Sequence, residues 1–177
     1  MNLGTEICGI PLASPVLNGS GTYDALAAQR AFGSAVIDDF PFAAFVSKTI
    51  TFEPRAGNPP HRLWETPAGM INSIGLPNPG LEGFLAGDLN RLVELPVPLI
   101  VSVMASSAEH FIELVEGVSA VEGVAGIELN VSCPNVEAKG LHSVDDRSAA
   151  SHGARGTIEG REESVSGGVH LRTSVAR

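Results

Sequence analysis

Three polar residues of this chain sit where apolar runs end, and their types could bind an anionic ligand and move a proton. Cys133 follows the run VAGIELNV, Lys48 closes the run FAAFV, and Ser20 lies in the Gly-Ser-Gly turn after PVLN. A thiol outside a buried run can ionise, and an ammonium group can stabilise negative charge on a ligand. From these residues alone, a ligand site and a loop cysteine without a chemical role both stay open.

The apolar runs alternate with helical patterns, which predicts the elements that must position these residues. Short Pro- or Gly-bounded runs predict strands, and three-four apolar spacing predicts helices. The strands are expected at 15–18, 42–50, 98–105 and 124–132, the helices at 24–32, 80–94 and 106–121, with a hairpin at 5–15. The stretch 51–79 is too long for an ordinary connector, so it is a candidate functional loop.

This βα alternation predicts an α/β fold with a parallel sheet covered by helices. An open doubly wound sheet and a (β/α)₈ barrel both have this order, but neither a G-x-G-x-x-G nor a Walker loop favours the open sheet. Polar residues fall near the ends of all four strands, at Ser20, Lys48, Ser102 and Asn130. In a barrel these ends open on one face, where barrel enzymes carry their chemistry, so we predict the TIM (β/α)₈-barrel family.

Composition excludes several partners. The chain has 177 residues, with 11 Lys+Arg against 20 Asp+Glu and a formal net charge of −9, which argues against nucleic acid and anionic membranes. Cys8 and Cys133 do not form a disulfide framework, which favours a reducing cytoplasm, and we expect Cys8 to pack beside Ile7 and Ile10. No signal peptide, membrane span or metal-ligand spacing is found in the sequence.

Several long stretches, in order, resemble the dihydroorotate dehydrogenases, flavoenzymes that oxidise dihydroorotate to orotate in de novo pyrimidine (UMP) synthesis. They are NGSGT, VSKTITFEPRAGNPP, ETPAGMINSIGLPNPG and ELNVSCPN, all within residues 1–140. The cysteine in NVSCPN resembles class 1 enzymes, and TFEPRAGNPPHRLWETPAGM looks most like the class 1B catalytic subunit. The resemblance implies the N-terminal half of a flavin-binding barrel over 1–140, about the first four βα units.

The resemblance also implies the roles of individual residues. Cys133 would be the catalytic general base that takes a proton from C5 of dihydroorotate while a hydride leaves C6 for the FMN. The FMN contacts implied are Ser20, Gly21, Lys48, Thr49, Ser102 and Asn130. The substrate contacts implied are Lys48, Asn72, Ser73, Ile74, Gly75, Leu76, Asn130 and Asn135. Many class 1B relatives have asparagine in place of Ser102, and serine has the shorter reach.

A class 1B enzyme implies a partner subunit. Its iron–sulfur (2Fe-2S) cluster and FAD would pass electrons from FMN to NAD, so those three groups would belong to the partner. We further expect a cytoplasmic homo-oligomer without nucleic-acid or membrane partners.

Residues 141–177 differ in character from the rest. They contain seven Leu, Ile, Val or Phe, five Arg, no Lys and no aromatic residue, which predicts a disordered tail. A complete barrel needs about 250 residues. We therefore expect a truncated product of impaired activity, without the family's flavin-phosphate site, whose tail is a non-native, out-of-frame extension. Re-reading the encoding DNA in the other frames tests this.

Two further readings stay open. A flavin reductase like dihydropyrimidine dehydrogenase shares an Asn-Ser-Cys-Pro loop, although NSIGLPN favours dihydroorotate dehydrogenase; turnover of dihydroorotate against dihydrouracil separates the two. The other reading is a non-catalytic half-barrel fragment, which a colourless protein after flavin reconstitution would favour.

Overall fold

A computed structural model of the chain describes residues 3–130 and, as backbone only, a strand at 169–172. The strands are β1 Thr5–Ile7, β2 Ile10–Leu12, β3 Phe45–Val46, β4 Leu63–Thr66, β5 Gly69–Asn72, β6 Leu99–Val103, β7 Val124–Asn130 and β8 Val169–Arg172. The helices are α1 Ala25–Phe32, α2 Ala35–Asp38, α3 Gly80–Ala86, α4 Leu89–Leu92 and α5 Ala108–Ser119. None of the described helices is long and apolar enough to cross a membrane.

The main sheet is parallel, with the strand order β3–β6–β7–β8. Strand β3 pairs with β6 through Val46 and Ile100, and β6 pairs with β7 through Ser102 and Glu128. The connections between these neighbours contain α3–α4 and α5, as parallel pairing requires a crossover. The predicted α/β class with a parallel sheet is confirmed.

The two faces of this sheet have different surroundings. Leu99, Val101 and Val103 of β6 belong to the core that the sheet forms with the helices, whereas Ile100 packs with the β1–β2 hairpin. Because side chains alternate along a strand, Ser102 shares the face of Ile100. This second face is therefore apolar near the amino ends of the strands and polar near their carboxyl ends.

The predicted helix at 106–121 is confirmed as α5, and local signals explain it. The hydroxyl of Ser107 caps the helix by accepting a hydrogen bond from the backbone N–H of His110, at 3.2 Å. One face is buried against the sheet, through Phe111, Leu114, Val115 and Val118. The helix predicted at 24–32 is likewise confirmed as α1, with Asp24 as its cap.

The strand predicted at 15–18 is wrong, because a side chain takes the place of a backbone ladder there. Asn18 Oδ1 accepts a hydrogen bond from Val46 N, and Asn18 Nδ2 donates one to Val46 O, each at 2.8 Å. The amide of Asn18 thus pairs with the free edge of β3 as a peptide group of a neighbouring strand would. No sequence period marks such a substitution.

Three further expectations need correction. The helix predicted at 80–94 is two helices, α3 and α4, because Gly87 leaves the helical conformation, with φ −116° and ψ −96°. The loop 51–79 contains the antiparallel hairpin β4–β5. Cys8 is exposed at the tip of the β1–β2 hairpin, where Cys8 and Gly9 have φ of 45° and 78°, so its packing role is wrong.

Candidate functional site

Predicted site residues from distant parts of the chain meet at the carboxyl ends of β3, β6 and β7. Thr49 Oγ1 lies 2.9 Å from both Ser20 Oγ and Ser102 Oγ. Asn130 Nδ2 donates to the same Thr49 oxygen at 3.2 Å. Sequence separations of 29, 53 and 81 residues are closed by these three contacts. We call Ser20, Thr49, Ser102, Glu128 and Asn130 the strand-end cluster.

An irregularity after β3 explains why Thr49 can be the centre of this cluster. Val46 of β3 pairs with Ile100, and Ile50 pairs with Val103. Between these two bridges the chain advances by four residues on the β3 side but by only three on β6. One extra residue re-aims the side chains between the bridges, as bulges beside functional sites do. Thr49 is consequently buried, at 1% exposure, with its hydroxyl among the other cluster hydroxyls.

Lys48 lies against Gly21, and the glycine is required for this approach. A Cβ on Gly21 would lie 2.7 Å from Lys48 Nζ and 2.9 Å from Lys48 Cδ. The φ of Gly21 is also +71°, a conformation that other residues rarely adopt. The partly buried ammonium group is therefore held next to the turn that carries Ser20.

A cavity of about 530 Å³ also reaches Gly21, Ser47 and Lys48. Its other walls include Leu26 of α1 and Phe84 of α3, so it lies in the helix layer. The cluster hydroxyls do not line it. The cavity therefore lies beside the strand-end cluster, at Gly21 and Lys48.

Sequence reasoning missed Glu128, which belongs to the cluster. Its Oε1 accepts a hydrogen bond from Ser102 Oγ at 2.8 Å, and the residue is only 8% exposed. The period of two along β7 could have found it, because Glu128 lies two residues before Asn130 and therefore on the same face. Ser102 itself is fully buried, so its contacts here are internal, and a direct flavin contact stays a prediction.

The predicted substrate segment, residues 72–76, begins at the last residue of β5 and is held by contacts within the loop 51–79. Asn58 Nδ2 donates to Ser73 Oγ at 2.8 Å, and Asn58 N donates to Ile74 O at 3.0 Å. A Cβ on Gly75 would lie 2.5 Å from Asn58 N, and Gly75 has φ +78°. Its neighbour Leu76 is buried. The segment has a defined conformation, and its substrate contacts stay predictions.

Asn78, also missed from the sequence, closes the base of this loop. Its Oδ1 accepts hydrogen bonds from Thr51 N and Gly80 N, at 3.1 and 2.9 Å. Its Nδ2 donates to Leu76 O at 2.9 Å. Thr51 directly follows Ile50, which pairs with Val103 of β6. Asn78 therefore links the end of the loop to the segment that follows the carboxyl end of β3.

The remaining predicted residues lie outside the described part of the chain. Cys133 and Asn135 come three and five residues after Asn130, the last residue of β7. The predicted disorder of 141–177 also falls there, apart from the backbone of β8, and stays a prediction. Within the described residues, no three His, Cys, Asp or Glu side chains come together as a metal site.

Comparison with known proteins identifies the family. A family model described as dihydroorotate dehydrogenase matches residues 2–163. The chain belongs to the dihydroorotate dehydrogenase family. The match confirms the resemblance found in the sequence, and it continues past Gly140, where the composition changes. The domain boundary at that residue stays a prediction.

Two curated relatives carry the same subunit name. The chain is 43% identical over 138 residues to the "Dihydroorotate dehydrogenase B (NAD(+)), catalytic subunit" of Desulforudis audaxviator (strain MP104C), covering 76% of this chain and 43% of that protein. It is 41% identical over 141 residues to the catalytic subunit so named in Thermoanaerobacter pseudethanolicus (strain ATCC 33223 / 39E), covering 80% and 45%. The chain therefore spans less than half the length of these relatives.

A solved structure supports the fold. The crystal structure of DHODH in complex with ferulenol from Eimeria tenella is similar with a TM-score of 0.71 and 22% identity, over 92% of this chain and 45% of that chain. This similarity confirms the expected (β/α)₈-barrel fold family, and the extent of the barrel in this chain stays a prediction.

Proposed function

We propose that the chain forms the amino-terminal part of a class 1B dihydroorotate dehydrogenase catalytic subunit, an enzyme that oxidises dihydroorotate to orotate in pyrimidine synthesis. On this proposal it supplies about the first four βα units of a (β/α)₈ barrel. The observation that carries the proposal is the convergence of Ser20, Thr49, Ser102 and Asn130 at one edge of the parallel sheet. Barrel enzymes carry their active sites at this edge.

The donor set supports FMN as the cofactor. Hydroxyl and amide groups can both donate and accept, which suits the polar edge of a flavin ring. The ammonium group of Lys48 lies against Gly21, the residue after Ser20. Gly21 leaves room beside Lys48 that a Cβ would fill. The residues that would hold the ring are Ser20, Gly21, Lys48, Thr49, Ser102 and Asn130. Bound FMN would supply the acceptor for the hydride that leaves C6 of dihydroorotate.

The chain's own residues would bind the substrate and move its proton. Lys48 would stabilise the substrate carboxylate and the negative charge that develops nearby, because a preorganised cation acts strongly in a poorly solvated site. Cys133, three residues after Asn130 in the chain, would accept the proton from C5 as a thiolate. The electrons of the broken C5–H bond then form the C5–C6 double bond as the hydride departs. The amides of Asn72, Asn130 and Asn135, with residues 73–76, would hold the pyrimidine.

The names of the relatives support a separate electron-transfer partner. We propose that this partner carries FAD and a 2Fe-2S cluster and passes electrons to NAD. We also propose that the catalytic subunit is a cytoplasmic homo-oligomer.

Flavin reconstitution followed by turnover tests the proposal. The purified full chain is titrated with FMN and then assayed for dihydroorotate oxidation with a soluble dye as acceptor. In a chain that binds FMN, Cys133→Ser should lower turnover by about 10²- to 10⁴-fold, the usual contribution of a general base. Cys8→Ser, at the other cysteine, is the matched control and should change nothing.

Two results would count against the proposal. A protein that is colourless once the unbound FMN has been removed favours a non-catalytic fragment. A Cys133→Ser variant with the turnover of the unaltered chain removes the thiol from the mechanism.

A further inference from the structure

Glu128 is a buried acidic residue whose position requires an explanation. It lies at 8% exposure on the polar face of β7, between Gly126 and Asn130. Burying a carboxylate is unfavourable unless hydrogen bonds replace its hydration. The hydroxyl of Ser102 provides such a bond at 2.8 Å. Within the strand-end cluster, Glu128 therefore lies nearer the amino end of β7 than Asn130 does.

The carboxylate determines the direction of the hydrogen bonds beyond it. An ionised carboxylate only accepts, so the single hydroxyl proton of Ser102 is committed to Glu128. In its 2.9 Å contact with Thr49, Ser102 Oγ must then be the acceptor and Thr49 the donor. The proton of Thr49 is used in this contact.

In its contacts with Asn130 and Ser20, the Thr49 hydroxyl oxygen can therefore only accept. Asn130 Nδ2 donates to Thr49 Oγ1 at 3.2 Å. The Ser20 hydroxyl, 2.9 Å from both Thr49 Oγ1 and Ser47 O, can donate to either oxygen. The two lone pairs of Thr49 match these two donors.

We propose that Glu128 is a positioning residue that, through Ser102 and Thr49, orients the Asn130 amide at the flavin and substrate site. Its relevance to catalysis rests on the proposed function. The Nδ2 end of Asn130 is committed to Thr49, which turns the Oδ1 end of this amide the opposite way. A glutamine in place of Glu128 could donate to Ser102, and every donor and acceptor in the series of hydrogen bonds from Ser102 to Asn130 could then exchange roles. The carboxylate of Glu128 permits only one direction for these hydrogen bonds.

Nuclear magnetic resonance of the full ¹⁵N-labelled chain tests this orientation without any flavin. The side-chain NH₂ signals of Asn130 are assigned by their loss in Asn130→Asp. We expect Glu128→Gln to shift these signals and to speed their hydrogen exchange by about fivefold, as expected for one weakened hydrogen bond. Glu122→Gln is the matched control, because Glu122 is exposed just before β7, and it should leave the signals unchanged.

A double-mutant cycle tests whether the effect passes through Ser102. Ser102→Ala should itself perturb the Asn130 signals, and Glu128→Gln on the Ser102→Ala background should add no further change. If Glu128→Gln fails to fold by circular dichroism, Ser102→Ala alone still decides. The proposal is overturned if either single variant leaves the Asn130 signals as they are, or if Glu128→Gln has its full effect without Ser102.

FMN titration provides the functional readout. In a chain that binds FMN, Glu128→Gln should weaken binding by about five- to tenfold, and Glu122→Gln should not. Unchanged FMN affinity in Glu128→Gln would overturn the orienting role at the site. A chain that binds no FMN at all contradicts the proposed function instead, and the Asn130 signals still decide whether Glu128 orients the cluster.

Discussion

Replacing Asn18 by alanine should destabilise the protein far more than the loss of an ordinary loop asparagine. The side chain is 5% exposed and makes two hydrogen bonds of 2.8 Å to the backbone of Val46. Alanine leaves the N–H and the C=O of Val46 buried without these partners. Each of the two groups costs about 1–3 kcal/mol, so we expect a loss of about 2–6 kcal/mol in the free energy of unfolding. That is a large part of the about 5–15 kcal/mol typical of a folded domain.

Urea unfolding of the full chain, followed by far-UV circular dichroism, measures this loss. With a slope of about 2 kcal/mol per M, the urea midpoint of Asn18→Ala should fall by about 1–3 M. Asn18→Asp should also be destabilised, because a carboxylate can accept from Val46 N but cannot donate to Val46 O. The control is Asn90→Ala, since Asn90 is exposed and makes one bond, to Leu85 O at 3.2 Å. Equal midpoints for Asn18→Ala and Asn90→Ala would refute the pairing of Asn18 with β3.

Three other substitutions test separate parts of the structure. Gly21→Ala should weaken FMN binding and cost about 1 kcal/mol of stability, because its Cβ would meet Lys48 at 2.7 Å and its φ is +71°; Gly9→Ala, with φ +78° but no atom within 4 Å, should cost only the stability. Asn78→Ala should speed proteolysis within 51–79 by about tenfold, since about 1–2 kcal/mol of loop closure is lost; an unchanged cleavage rate contradicts its role. The pKa of the Glu109 carboxyl is lowered by hydrogen bonds from the backbone N–H of Glu109 and from the side chain of Ser107, the cap of α5. Its stabilisation is therefore present at neutral pH and lost as the pH falls through the folded-state pKa, so Glu109→Gln should melt lower than the unaltered chain at pH 7 and equally in acid; a pH-independent gap refutes this.

The regular elements could be predicted because their signals are local. The cap at Ser107 and the spacing from Phe111 to Val118 specify α5 within a few residues of the chain. The apolar run of β6 is equally plain, since all five of its residues are buried. By contrast, Trp64 and Ile71 of the β4–β5 hairpin are 67% and 64% exposed, so no alternation of buried residues marked that hairpin. Gly87 divides a helix whose apolar spacing alone continues through it.

The sequence by itself determined which chemical groups stand at the strand ends and which family they belong to, because both follow from residue types in order along the chain. The tertiary structure alone decided which of these groups touch. Thr49 meets Ser102 and Asn130 only because β3, β6 and β7 are neighbours in that order, and only because one extra residue follows Val46. Glu128 entered the cluster in the same way. Strand order and register are set by long-range packing, so the partners of a hydrogen bond that spans 81 residues cannot be read from either end of it.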